Sequence, residues 1–350
     1  MTSFSNACRR LLAEYKNMAA HNMLNPWTVA YYDEENPDLT EIQLDLMQEA
    51  GLETRPLFGD LHSFEPKWCG EIPREAGRNS SAYPDGIEIE SMPQVWAECM
   101  ASFSNKVKRT FDQVERKLGH REVVCYGIDE AGPDTVRREM PFFATIRHEG
   151  GKPMISMCHS KWVSFAVSAD DTPASIGRFN AQLWHEGGAE TYTYAAPFSG
   201  PSNPVLWRRN KGIRLYMANY DGCNEYVLFD GTDPWNEFCY NSRYCVFSIV
   251  FQGADGIIDT VPWEAVREAH DDIRYLTLLR RLAREAIRGG KRSSVRLGRL
   301  AYAWAEAIDQ ESVDLDQMRA DAVGWIARLR DALSSSRTWT ALNGILPLPP

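Results

Sequence analysis

The chain has no apolar run that approaches the ~20 residues needed to cross a bilayer. Its first ten residues also lack the apolar core of a signal peptide. We therefore expect no membrane span. We expect a cytoplasmic location for the chain as written, or an exported one if a leader has been removed.

Basic residues are outnumbered: 38 Lys and Arg stand against 48 Asp and Glu, which gives a formal net charge of -10 at pH 7. Nucleic acids and anionic membranes bind to basic surfaces. We therefore predict that nucleic acid is not a partner and that an anionic membrane is not the main one.

Several motifs of cofactor and metal chemistry are missing. The eight cysteines form no C-x-x-C pair and have no histidine at zinc-ligand spacing. Several lie in predicted strands, where a free cysteine behaves as a small apolar residue, so we predict reduced structural thiols and no metal. There is no P-loop, no G-x-G-x-x-G after a strand and no G-x-S-x-G, so we predict no cofactor and find no support for serine hydrolysis.

The most informative stretch that is present runs from Val123 to Glu130. Its β-branched apolar residues predict a buried strand, and Asp129 and Glu130 follow at its end. Two adjacent acids in a poorly hydrated pocket repel each other, so one would stay protonated and could act as a general acid. Alternatively, Asp129 caps the next segment and Glu130 is solvated. The residues alone leave both interpretations open.

About eight predicted strands alternate with helical segments over the first three quarters of the chain. This pattern is typical of a (β/α)8 TIM-like barrel, in which the loops after the strands build the active site. From Trp263 onward the apolar spacing is wholly helical. We therefore predict a barrel over 1–262, C-terminal helices packed on it over 263–335, and a tail over 336–350.

Two sequence details refine this prediction. The region from Ala181 to Ala195 is expected to be a hairpin or an interrupted strand around Gly187-Gly188, and Pro141 is expected in the first turn of a helix. Glu264 and Asp271-Asp272 are interpreted as structural, because acids near a helix start favour the dipole and can pair with Arg267 and Arg274.

Aromatic and polar residues are interspersed between Phe179 and Tyr244, as in clefts that bind carbohydrate. We expect the ligand there to be a glycan. Most of the aromatic residues could equally belong to the core, and lone histidines at strand ends are more often structural. The substrate-binding candidates are His62, Trp184, His185, Tyr192, Tyr194, Arg208, Tyr220, Asp221, Trp235 and Asn236.

Three blocks together resemble glycoside hydrolase family 123 and its related barrel domains. They are Tyr126-Gly127-Ile128-Asp129-Glu130; the run of Arg208-Arg209-Asn210-Lys211-Gly212-Ile213, Ala218-Asn219-Tyr220-Asp221-Gly222 and Pro234-Trp235-Asn236-Glu237-Phe238; and Asp255 to Glu268 with Asp271 to Leu276. The third block is the most specific. The chain differs from the family pattern at Glu237, Ala269 and Phe251-Gln252.

The resemblance implies a retaining β-N-acetylgalactosaminidase that uses substrate assistance. The sugar's own acetamido oxygen would attack the anomeric carbon, so no enzyme carboxylate acts as nucleophile. Glu130 would protonate the glycosidic oxygen and later activate water, and Asp129 would orient the acetamido nitrogen. A glycosidase for another sugar, or a carbohydrate-binding barrel without activity, are the alternatives.

Overall fold

The computed structural model describes residues 3–26, 38–60, 93–127, 133–156, 174–176, 181–194, 203–224, 228, 249–253, 256–289 and 291–334. The chain forms two compact units. The sheet unit comprises Met1–Phe198 and Ala218–Thr260, and the helical unit comprises Ser199–Met217 and Val261–Pro350. No described helix is both long and apolar enough to cross a membrane.

Six parallel strands form one sheet in the order of the sequence. They are β1 (Leu57–Asp60), β2 (Val123–Tyr126), β3 (Lys152–Ser156), β4 (Ala174–Ile176), β5 (Glu190–Tyr194) and β6 (Gly222–Asn224). Two short strands, β7 (Phe251–Gln252) and β8 (Ile257–Ile258), pair with each other in antiparallel fashion. The helices of this unit are α1 (Ser3–Ala20), α2 (Asp38–Ala50), α3 (Pro93–Leu118), α4 (Pro133–His148) and α5 (Ala181–Glu186).

The prediction of an eight-stranded TIM-like barrel is wrong. Most described residues are helical, and the described parallel strands number six in one sheet that runs from β1 to β6. The described part of the predicted first strand, residues 21–26, is a turn that follows α1, and β7 pairs with β8 rather than with the parallel sheet.

Two local predictions fail for identifiable reasons. Residues 181–186 form a helix because Ala181 and Trp184 are buried at i, i+3 spacing, and the positive φ of Gly188 follows the end of a helix rather than turning a hairpin. Helix α4 begins eight residues before Pro141, since Phe142, Phe143 and Ile146 anchor it in the core despite the missing amide of Pro141.

The parallel sheet is strongly curved. Strands β1 and β5 are four positions apart, which would separate them by about 19 Å in a flat sheet. Phe58 on β1 and Tyr192 on β5 nevertheless meet edge to face, with ring centroids 6.3 Å apart. The side chains on that face therefore point into a concave surface, which we call the inner face.

Helices cover the opposite, outer face of the sheet. Leu57, Val123, Cys125 and Ile155 alternate with the inner-face residues and join one large apolar cluster. The helices contribute Tyr15, Leu44, Met47, Phe103, Val107, Phe111, Val114, Phe142, Phe143, Ile146 and Trp184. Burial of this cluster is the main stabilising contribution to the unit.

The helical unit is built on three long helices, α8 (Val261–Gly289), α9 (Arg292–Glu306) and α10 (Leu315–Ser334), with α6 (Pro204–Lys211) and α7 (Ile213–Met217). All three long helices match the predicted C-terminal helices. Asp314 accepts the amides of Asp316 and Gln317 at 3.0 and 2.9 Å, which caps the start of α10. Glu264 and Asp271 both contact Arg267, as predicted.

The cysteines differ in oxidation state. Cys8, Cys125 and Cys223 are free, in agreement with the predicted reduced thiols. Cys99 on α3 is disulfide-bonded, so that prediction is wrong for this residue. Cys99 lies on the buried side of a helix, which is also the usual position of a small apolar core residue. The sequence therefore did not reveal the disulfide.

Two glycines of the sheet unit allow a matched test of the packing. A Cβ at Gly151 would lie 2.6 Å from the ring of Phe111 and 2.9 Å from the backbone oxygen of Val123, whereas one at Gly59 would meet nothing within 4 Å. Gly151→Ala should therefore lower the free energy of unfolding by about 1–3 kcal/mol. Gly59→Ala should change it by less than about 0.5 kcal/mol. Urea unfolding measures both, and equal effects would contradict the packing described.

Candidate functional site

An apolar cluster closes the middle of the inner face. Phe58, Val124 and Met154 come from three adjacent strands and are buried, and the side chains of Tyr126 and Tyr192 pack against them. In parallel sheets, ligands bind beyond the carboxyl ends of the strands. The cluster is therefore the floor of any site at that end.

Two polar side chains lie between this floor and the carboxyl ends of the strands. Ser156 follows Met154 by two residues and shares its face, and Asn224 is in register with Tyr194, two residues after Tyr192. The Ser156 hydroxyl and the Asn224 amide nitrogen are buried, and neither has a hydrogen-bond partner in the described part of the chain. A buried polar group left unpaired costs about 1–3 kcal/mol. Both are therefore candidates to bind a polar ligand.

The hydroxyl of Tyr192 points away from that end. It donates to Glu190 Oε2 at 3.1 Å, and Glu190 is the first residue of β5. Burial, together with the negative charge of Glu190, raises the pKa of Tyr192 well above its usual range. Tyr192 thus stays protonated and contributes its ring to the floor, while its hydroxyl is engaged near the amino ends of the strands.

Strand β2 ends beside a buried carboxylate that the sequence analysis missed. A Cβ at Gly127 would lie 2.6 Å from Glu139 Oε2, so a larger residue there would require the end of the Glu139 side chain to shift. Glu139 lies on α4 and is fully buried. It precedes Phe143 by four residues and Ile146 by seven, so the three residues share one side of the helix. A charged residue within an apolar helical stripe is the sequence feature that could have revealed this buried carboxylate. Position 127 is the last described residue before the predicted acid pair.

His185 and Asp221 come together, but at the amino ends of the strands. Asp221 Oδ2 lies 2.8 Å from His185 Nε2 and accepts the Thr191 amide at 2.7 Å. The other ring nitrogen of His185 lies 3.1 Å from the amide nitrogen of Asn219, a residue with φ of 61°. With both ring nitrogens engaged, this pair links α5 to the starts of β5 and β6. Tyr220 precedes Asp221 and lies at the same end, with its pKa raised by burial.

Trp184 lies in the outer-face core. It is 1% exposed and packs with the main apolar cluster, so its ring offers no face for a sugar. Tyr194 is the last residue of β5 and thus lies at the carboxyl end of the sheet. Of the aromatic candidates within the described residues, Tyr194 is the one at the end of the sheet where ligands bind.

Arg208 belongs to the helical unit, where its guanidinium is engaged by other side chains. It donates to both oxygens of Asp272 at 2.7 and 3.1 Å, to Asp316 at 2.6 Å and to the carbonyl of Leu315 at 3.2 Å. Arg319 donates to the same Asp272 at 2.6 Å. This arrangement ties α6, α8 and α10 together and gives Arg208 a structural role.

The remaining predicted site residues, Asp129, Glu130, His62, Trp235 and Asn236, lie outside the described residues. Within each unit taken by itself, the described residues bring no three metal-ligating side chains together.

No protein-family model matches the chain, and no curated protein matches it significantly. The resemblance to glycoside hydrolase family 123 therefore rests on the residues quoted above.

Ser156 can be tested against a serine that has a hydrogen-bond partner. Ser294 is also buried, but its hydroxyl donates to the carbonyl of Ala332 at 3.4 Å. Because Ser156→Ala removes an unpaired hydroxyl, it should leave the free energy of unfolding unchanged or raise it by about 1 kcal/mol. Ser294→Ala should lower it by about 1 kcal/mol. Thermal and urea unfolding measure both changes. A clear loss of stability in Ser156→Ala would refute the conclusion that the Ser156 hydroxyl has no hydrogen-bond partner.

Asp272 and Asp316 provide a matched test of the structural role of Arg208. The Asp272 side chain is 1% exposed and that of Asp316 is 89% exposed. Asp272→Ala leaves two guanidinium groups without their buried carboxylate and should cost about 3–5 kcal/mol of stability. Asp316→Ala should cost less than about 1 kcal/mol. Small and equal losses in urea unfolding would show that Arg208 is not held by Asp272.

Proposed function

We propose that the chain is a glycoside hydrolase that releases terminal β-linked N-acetylgalactosamine through a substrate-assisted, retaining mechanism. One observation carries the proposal: Asp129 and Glu130 follow β2, an interior strand of a curved parallel sheet, within three residues of Gly127. The carboxyl ends of such strands are where α/β sheets bind ligands. The proposal needs no closed barrel.

The inner face supplies surfaces suited to a sugar. The ring of Tyr192 and the apolar side chains of the floor offer contact for the C–H face of a pyranose. The Ser156 hydroxyl and the Asn224 amide offer hydrogen bonds to sugar hydroxyls, because both are buried and unpaired in the described part of the chain. Such a mixture of apolar surface and a few convergent polar groups is typical of small-molecule sites.

The roles of the acids follow from the proposed chemistry. Glu130 in its protonated form donates a proton to the glycosidic oxygen as the acetamido oxygen attacks the anomeric carbon. The glycosidic bond breaks and the leaving group departs as an alcohol, which leaves an oxazolinium ion whose positive charge the Asp129 carboxylate stabilises. Glu130, now ionised, removes a proton from the water that opens the oxazoline. Adjacent carboxyls favour this division, since a charge on one opposes ionisation of the other.

Substitution of Glu130 tests the acid role through the leaving group. Glu130→Gln should cost several kcal/mol of barrier with an alkyl or sugar leaving group, because that group must be protonated as it departs. A nitrophenyl leaving group needs little protonation and should be much less affected. An equal loss in kcat/KM on both substrates would contradict the acid role.

The choice of sugar is tested by comparing nitrophenyl β-N-acetylgalactosaminide, β-N-acetylglucosaminide and β-galactoside. Release from the first is expected to be fastest. Release from the galactoside alone would reject the acetamido mechanism. Release from none of the three would reject hydrolysis and leave a carbohydrate-binding role.

A further inference from the structure

The second half of α8 and the first half of α9 carry positive charge that the composition of the whole chain conceals. Residues 274–299, in α8 and α9, contain nine Lys or Arg and a single acid, Glu285, although the chain as a whole has a net charge of -10. A concentration of like charge in a chain of the opposite sign indicates a binding surface for an oppositely charged partner.

Five of these residues, Arg281, Arg288, Arg292, Arg296 and Arg299, lie on the outward sides of the two helices, and we call them the arginine face. All five are exposed. On α8, Arg281 and Arg288 are seven residues apart and thus on one side, opposite buried Leu279, Ala283 and Ala286.

On α9, Arg292, Arg296 and Arg299 recur at i, i+4 and i+7, opposite a buried stripe. That stripe is formed by Ser294, Gly298, Ala301 and Ala305. The outward sides of both helices are therefore arginine-rich while their inward sides form the core.

The five guanidinium groups form no ion pair with any residue that the structure describes. Their neighbours on α8 differ in this respect. Arg280 pairs with Glu306 at 3.0 Å and stacks on Tyr216, and Arg284 lies over the ring of Tyr302. The arginines that make contacts within the unit are thus distinct from the five of the arginine face, which are accessible to an anion in solution.

We propose that the arginine face binds a sulfated polysaccharide. Guanidinium groups match oxyanions such as sulfate with two parallel hydrogen bonds. The choice of a glycan among polyanions rests on the proposed function, since a hydrolase of amino-sugar polymers would gain affinity by holding the charged chain outside its site.

On α8, the spacing of the two charges agrees with such a polymer. Arg281 and Arg288 are separated by about 10.5 Å along the helix axis. This distance is comparable to two linked sugar units, the repeat over which a sulfated glycan presents its anionic groups. Duplex DNA carries a charge about every 1.7 Å of its axis, a far denser array.

Two other classes of polyanion fit less well. The apolar sides of α8 and α9 are buried in the unit, so neither helix can insert an apolar face into a membrane. Single-stranded nucleic acid binds by base stacking on exposed aromatic rings. Of the large exposed apolar residues on α8 and α9, Leu300 has no ring, and Tyr275 lies about 120–140° around α8 from Arg281 and Arg288.

Charge reversal tests the proposal with isothermal titration calorimetry at low salt. The variant Arg288→Glu/Arg292→Glu/Arg296→Glu is compared with Arg9→Glu/Lys106→Glu/Lys108→Glu, which changes the net charge equally within the sheet unit. The probes are chondroitin sulfate, its desulfated form, a DNA duplex and phosphatidylserine-containing vesicles. We expect chondroitin sulfate to bind most tightly, to weaken with added salt, and to lose at least about tenfold in affinity in the first variant alone.

Equal weakening in both variants would show a response to net charge and overturn the proposal. Tighter binding of the duplex or of the vesicles would assign the face to that class instead. Hydrolysis of nitrophenyl β-N-acetylgalactosaminide is measured in parallel and should be unchanged in both variants. If the unsubstituted protein binds chondroitin sulfate but does not hydrolyse the nitrophenyl substrate, the proposed function is rejected and the binding surface is retained. If it hydrolyses the substrate but does not bind chondroitin sulfate, the binding surface is rejected and the proposed function is retained.

Discussion

The contact between Phe58 and Tyr192 is the constraint on which the candidate site depends. These rings meet across four strand positions, which requires the parallel sheet to curl until its first and fifth strands face each other. Curvature turns one face of the sheet into a concavity and brings residues of different strands toward a common space. A flat sheet with the same residues would leave Ser156 and Asn224 far apart and exposed.

The polar groups of the sheet unit lie at two opposite ends of the strands. His185, Asp221 and Thr191 join strand starts to a preceding helix, a position at which polar networks fix geometry. Ser156 and Asn224 lie on the other side of the floor. The His185–Asp221 pair is therefore weaker evidence for a ligand site than Ser156, whose hydroxyl has no hydrogen-bond partner among the described residues.

Elements with a single strong periodicity could be predicted from the sequence. Helices α2, α3 and α8 to α10 follow apolar stripes with clear stop signals, and β2 follows a β-branched run. One cause of failure is that short segments admit two interpretations. Residues 181–186 contain apolar residues that suit a strand or a helix, and only the burial of Ala181 with Trp184 decides. Two of the predicted barrel strands fail differently, since residues 21–26 form a turn and β7 pairs with β8 outside the parallel sheet.

The candidate site was less predictable than the fold because residue type does not reveal direction. Tyr192 is a predicted substrate-binding residue, yet its hydroxyl is held by Glu190. Arg208 looked suited to a ligand, yet Asp272 engages it inside the helical unit. The net charge of the chain likewise does not reveal the local distribution of charge, since an acidic average coexists with the basic segment 274–299.

The close approach of Glu139 to Gly127 has an evolutionary consequence. The carboxylate occupies the volume into which any side chain at position 127 would grow, so a larger residue there requires the buried Glu139 side chain to move or to be shortened. Among relatives of this chain, a larger residue at 127 should appear together with a shorter one at 139. The two positions should thus co-vary as a pair, next to the strand end that leads into the acid motif.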